Sequence, residues 1–166
     1  MMTWREFREA EPALANAGRS LFYQWKLGIG FLATVRRDGG PRVHPICPVI
    51  NDEGCFGLII PGPKLEDLRR DPRYALHSET SPPPNIDDAF YLTGFATERS
   101  DRGIWNAIAD QFLAERELKA PWAGFEEQAL IEFEIEQCLL TLTDARDAFP
   151  KGHTIWKAPP AGVGAR

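Results

Sequence analysis

The apolar positions change their period several times along the chain, and each change predicts an element. Trp4, Phe7, Leu14 and Leu21 recur among charged and small residues over 3–22, which predicts an amphipathic helical segment that Pro12 divides in two. From Ile29 the period falls to two. Ile29, Phe31, Ala33 and Val35 share one face of a first strand, and Arg37-Asp38-Gly39-Gly40 turns the chain into an antiparallel partner. That second strand, Arg42 to Ile50, contains Pro45 and Pro48, which cannot donate to a ladder, so it must be an edge, a bulge or an interrupted strand. A third strand, Cys55 to Ile60, is apolar throughout and therefore expected to be buried on both faces. Pro61-Gly62-Pro63 ends it, and residues 64–70 form a short helix with proline at its first turn, stopped by Asp71-Pro72.

A fourth strand runs from Tyr74 to Ser78, followed by the loop Ser81-Pro82-Pro83-Pro84-Asn85. A fifth, Phe90 to Thr97, is interrupted by Gly94, which marks a corner or a close backbone approach. Asp101 caps a helix to about Arg116, with Ile104, Trp105, Ile108, Phe112 and Leu113 at helical spacing. In the sixth strand Ile131, Phe133 and Ile135 alternate with glutamates, and the apolar phase then slips to Cys138, Leu140 and Leu142, which calls for a bulge or a change of exposure. Thr154 to Lys157 adds a short edge strand. The pattern is that of an α+β, mainly β, protein: a six-stranded antiparallel barrel with peripheral helices, one domain over 1–158 and a loose tail over 159–166.

Composition narrows the function. At 166 residues the chain holds one core, and its 14 glycines and 14 prolines suit a turn-rich β protein. Acidic residues outnumber basic ones by 24 to 19, which disfavours a nucleic-acid partner. Cys47, Cys55 and Cys138 are odd in number and widely spaced, as expected of reduced thiols in a cytoplasmic protein. No apolar run reaches the roughly 18 to 20 residues of a membrane span.

Hydrolytic and metal chemistry find little support. None of Ser20, Ser78, Ser81 and Ser100 lies in a G-x-S-x-G elbow, and His44, His77 and His153 are too scattered to make a metal site with Cys47. Gly57 to Lys64 is a near miss to a phosphate loop, with its lysine one position late and no Ser or Thr after it. Lys64 nevertheless stands just inside a helix N-terminus, where an ammonium and free N–H groups suit a phosphate; the competing reading is a solvated first-turn residue. Arg42 and His44 share a strand face beside Pro45, which reads equally as a ligand wall or an exposed edge. Trp156 either stacks on a planar ligand or docks the tail on the core. Arg69, Arg70 and Arg73, interleaved with Glu66, Asp67 and Asp71, read as a solvated helix face.

In order and spacing, Leu32-Ala33-Thr34-Val35, Asp38-Gly39, Pro41 to Pro45, Lys64 to His77 and Leu92 to Ala96 resemble the pyridoxamine 5′-phosphate oxidase-like FMN-binding split-barrel family, over roughly residues 20 to 100. The resemblance implies a split barrel that forms a homodimer, with FMN in clefts at the subunit interface. It further implies that Arg42, Val43 and His44 line the flavin, that Ile60 approaches it, and that Lys64 and the Leu65 amide hold its phosphate, with Trp156 coming from the partner chain. The implied activity is that of an FMN-dependent oxidoreductase acting on an unidentified small molecule. A flavin-binding storage or sensor module without turnover and an F420-dependent reductase are the alternatives. Pro63 stands where the vitamin-forming oxidase has a basic residue, and no C-terminal Arg-Leu-His type motif is present, which argues against pyridoxamine phosphate as the substrate.

Overall fold

A computed structural model describes residues 1–82, 87–143 and 153–160. Two helices open the chain. In α1 (Trp4–Ala10) Thr3 and Glu6 form a reciprocal capping box, and in α2 (Pro12–Phe22) Pro12 occupies the first turn, where its missing N–H costs nothing. Both helices turn Trp4, Phe7, Leu14, Leu21 and Phe22 onto the barrel core.

Among the described residues eight strands form one antiparallel sheet: β1 (Gly30–Val35), β2 (Pro41–Ile46), β3 (Val49–Ile50), β4 (Cys55–Ile59), β5 (Arg73–Ser78), β6 (Ala89–Arg99), β7 (Ala129–Thr141) and β8 (His153–Lys157). The order across the sheet is β2-β1-β5-β6-β7-β4-β3, with β8 also on β7, beyond the stretch that β4 occupies. This order curls the sheet. β2 and β3 lie at opposite ends of the path, yet only Cys47 and Pro48 separate them in the chain, so the sheet must roll until its edges come close at an unpaired seam. The expected second strand is thus two pieces broken at the seam, where Pro48 lies, while Pro45 stands within β2, a strand with a neighbour on one side only.

Helix α3 (Pro63–Arg70) follows β4 and packs on β1, while α4 (Arg102–Glu115), capped by Asp101 through the Ile104 N–H at 2.9 Å, covers the outside of β3 and β4. A second apolar cluster, including Val49, Phe56, Trp105, Ile108 and Phe125, lies beneath α4. This is why every residue of β4 is buried, as its unbroken apolar run predicts.

The phase slip in β7 is a register shift opposite Thr93 and Gly94: Thr93 pairs with Gln137 and Gly94 with Ile135, which leaves Glu136 as the extra residue. In β1 the structure refines the expectation. Gly30, Leu32 and Thr34 are buried inside the barrel, while the apolar set Phe31, Ala33 and Val35 is half-buried on its outer surface. Of the expected tail, residues 161–166 lie outside the described residues, as do 83–85 of the proline-rich loop. Among the described residues no helix is long and apolar enough to cross a membrane.

Candidate functional site

The barrel register sorts β2 into two faces. Arg42 lies opposite Thr34 and His44 opposite Leu32, so both belong to the inward rows; Val43 lies opposite Ala33 and belongs outside. Arg42 and His44 therefore share a face as the spacing requires, and Val43 points the other way. Because β2 pairs only with β1, its free edge also presents backbone N–H and C=O groups. His44 is exposed and Val43 is 60% exposed.

Arg42 is half-buried and held by α3. Its Nε donates to Asp67 Oδ2 at 2.6 Å, while Thr34 Oγ1 donates to the same oxygen and Arg70 Nη1 to Oδ1, both at 3.2 Å. Arg70 also donates through Nη2 to the Val35 carbonyl. Asp67 is only 3% exposed. Burial alone would raise its carboxyl pKa, but the hydrogen bonds from Arg42, Arg70 and Thr34 outweigh that and hold it below the usual range. Neither Asp67 nor Arg70 stands out in a helix of alternating acids and bases; the available signal is Thr34, a polar side chain in the inward phase of β1, which needs a buried partner.

Lys64 lies in the first turn of α3. Gly62, the residue before that helix, has a φ of +153° that favours glycine, and it offers no side-chain cap, so the Lys64 and Leu65 N–H groups have no side-chain acceptor from that position. The Lys64 ammonium is half-buried and makes no ion pair among the described residues. Burial lowers its pKa from the usual lysine value, with Cys47 opposing in part. Leu65 is buried in the core, so its contribution is the backbone amide. Ile60, just past β4 and ahead of α3, is 60% exposed.

Trp156 lies elsewhere. On β8 it pairs with Cys138 of β7, and its ring stands 4.7 Å from that of Phe7. Within one chain it docks β8 on the core. The structure thus ties Arg42 to α3 through Asp67, places Lys64 and the Leu65 amide at the start of the same helix, and leaves Trp156 packed against α1.

No family model matches the chain, and no curated protein matches it. Solved structures do. A Clostridium acetobutylicum protein related to general stress protein 26 of the pyridoxinephosphate oxidase family is similar with a TM-score of 0.62 and 14% identity, over 89% of this chain and 95% of that one. An F420 reductase matches with a TM-score of 0.55 and 18% identity, over 72% and 94%. A heme-binding protein from Mycobacterium smegmatis matches with a TM-score of 0.60 and 13% identity, over 85% of this chain and 57% of its own. At these identities what is shared is the fold, and it is the split barrel that the sequence motifs resemble.

Proposed function

We propose that the chain is an FMN-binding oxidoreductase built as a homodimer, acting on a small molecule. The observation that carries this reading is Lys64: a half-buried ammonium without a carboxylate partner among the described residues, at an uncapped helix start. An ammonium in such a place is costly unless an anion joins it. The donor set fits the cofactor's phosphate, since Lys64 supplies charge and the Leu65 amide, near the positive helix end, supplies direction. Arg42 and His44 on the inner face of β2, its open backbone edge near Val43, and Ile60 would hold the ring. Asp67 holds Arg42 by Nε and leaves its terminal nitrogens able to donate. Bound flavin supplies the hydride or electron exchange. The match to an F420 reductase favours F420 as the second reading, and a module without turnover would bind flavin yet resist reduction by nicotinamide cofactors.

The test is titration of the purified chain with FMN and with F420, with mass spectrometry of the small molecule released from gently purified protein. Saturable quenching of flavin fluorescence supports the reading. A colourless protein that quenches neither cofactor overturns it.

The outer sheet face supports the dimer. Val43, Ala33, Ala75 and Thr93 form one row, and Pro45, Phe31, His77, Tyr91 and Leu139 the next. A half-exposed apolar sheet face of this extent is what a second copy would cover. Light scattering is expected to give twice the 18.7 kDa chain mass. Ala33→Arg, which places a charge in the middle of this face, is expected to shift the mass to that of one chain; a monomeric parent protein would remove the interface from the proposal.

The Lys64 pKa also sets a pH dependence. A phosphate favours the ammonium and so raises the pKa in the complex above its value in the free protein, which burial has lowered. Affinity is full below the free-protein pKa and falls as pH rises through it. Fluorescence titrations on an alkaline series should therefore show weakening that begins on the acid side of the usual lysine value of 10.5.

A further inference from the structure

We infer that the cavity between the β1–β2 hairpin and α3 is a second anion site, which takes a phosphomonoester or pyrophosphate group. Arg36, Arg37, Asp38 and Arg42 line it from the hairpin, and Pro63, Glu66, Asp67 and Arg70 from the helix, around about 760 Å³. That volume is in the range of small-molecule sites. The helical residues are three, four and seven apart and share one side of α3. Lys64 is not among them. One short helix thus adds Arg70 and the buried Asp67 to the cavity wall and leaves its first-turn lysine out of it.

Three features make this wall suited to an oxyanion. First, Arg42 and Arg70 share a single carboxylate, that of the buried Asp67, so two guanidinium charges meet one neutralising charge. Second, both forks are already oriented. Arg42 is fixed through Nε and Arg70 through Asp67 and the Val35 carbonyl, which removes much of the ordering cost of binding. Third, Arg36 is paired with Asp38, whereas Arg37 is exposed and has no ion-pair partner among the described residues. Four arginines face three carboxylates here, in a chain whose net charge is −5. A planar guanidinium matches phosphate oxygens two at a time, and arginines from β2, α3 and the hairpin surround the cavity. Asp67 is then a positioning residue.

The site shares Arg42 with the proposed flavin site and leans on that function for the identity of its ligand. The phosphate chemistry has two sources, a second phosphate on a dinucleotide cofactor or the phosphate of a separate substrate. The probe is inorganic pyrophosphate, titrated into flavin-free protein by calorimetry at physiological ionic strength. Saturable binding is expected, weakened about tenfold by Arg37→Ala, the loss of one charge-assisted contact. Arg70→Lys keeps the charge but loses the fork and is expected to weaken it similarly, with Arg37→Ala as the variant least able to disturb folding. Lys64→Ala is expected to leave it within twofold, which separates this site from the flavin phosphate seat. If the group belongs to the cofactor, FAD binds at least tenfold tighter than FMN and pyrophosphate competes with it. If it belongs to a substrate, FMN and FAD bind alike and FMN-loaded protein still takes pyrophosphate. Absence of saturable binding, or loss with Lys64→Ala but not with Arg37→Ala, overturns the inference.

Discussion

Lys64→Ala is expected to weaken FMN binding by roughly ten- to a hundredfold, because a hydrogen bond to a charged group contributes about 1.5–3 kcal/mol and each 1.4 kcal/mol is a factor of ten. The same change is expected to leave thermal stability unchanged or slightly raised. Lys64 has no ion-pair partner among the described residues, and burial already disfavours its charged form, so its removal takes away a cost of the free protein. Affinity and stability moving in opposite directions is the signature of a residue kept for a ligand. Lys64→Arg retains the charge with a different shape and should recover part of the affinity. Fluorescence quenching and a thermal melt on the three proteins make the comparison. An alanine variant that binds FMN within twofold of the parent would place the phosphate elsewhere.

Much of the fold was legible because local chemistry and tertiary structure agree. Pro12 at a helix start, Asp101 as a cap, Asp38-Gly39 in a turn and the unbroken apolar run of β4 each specify what the chain does there. The motif order from Leu32 to Ala96 carried the split barrel. Two features were less visible. Alternation in β1 gives two sets of residues without saying which is inside, and here the more uniformly apolar set lies outside, half-exposed. An apolar outer face is unremarkable in a sequence and informative in a structure, since only the register shows that Val43, Ala33 and Ala75 join across strands. The second is Asp67. Interleaved charges on a short helix read as solvated, and what buries Asp67 is the approach of Thr34 and Arg42, respectively 33 and 25 positions away in the chain. Contacts at that separation leave no periodic trace, so residue type and position single out Lys64 and Arg42 as candidates in the sequence but not the wiring around them.

Gly94→Ala is expected to separate fold from site in the opposite sense. A Cβ at Gly94 would stand 1.9 Å from the Glu134 carbonyl oxygen and 2.9 Å from the Glu136 nitrogen, both backbone atoms of the bulged strand. Neither atom can withdraw as a side chain would, and the bulge itself cannot be given up. With Glu136 as the extra residue, Ile135 and Cys138 are both buried in the core; without it the following half of β7 would turn Gln137, Leu139 and Thr141 inward. The variant must therefore shift β6 away from β7, the most extensive pairing in the sheet, at a cost on the order of 4 kcal/mol. That is much of the ~5–15 kcal/mol that holds a domain folded, and for a chain of this size it lowers Tm by about 10–15 °C. Thr93→Val, one residue away on the outer face, keeps the β-branched shape and should move Tm by no more than about 2 °C. Flavin titrated into Gly94→Ala below its melting temperature is expected to bind the folded fraction with parental affinity. Lys64→Ala is expected to keep its fold and lose its ligand. A Gly94→Ala protein with parental Tm would mean that β6 and β7 do not meet at this bulge, and the register that sets both Ile135 and Cys138 inward would have to be redrawn.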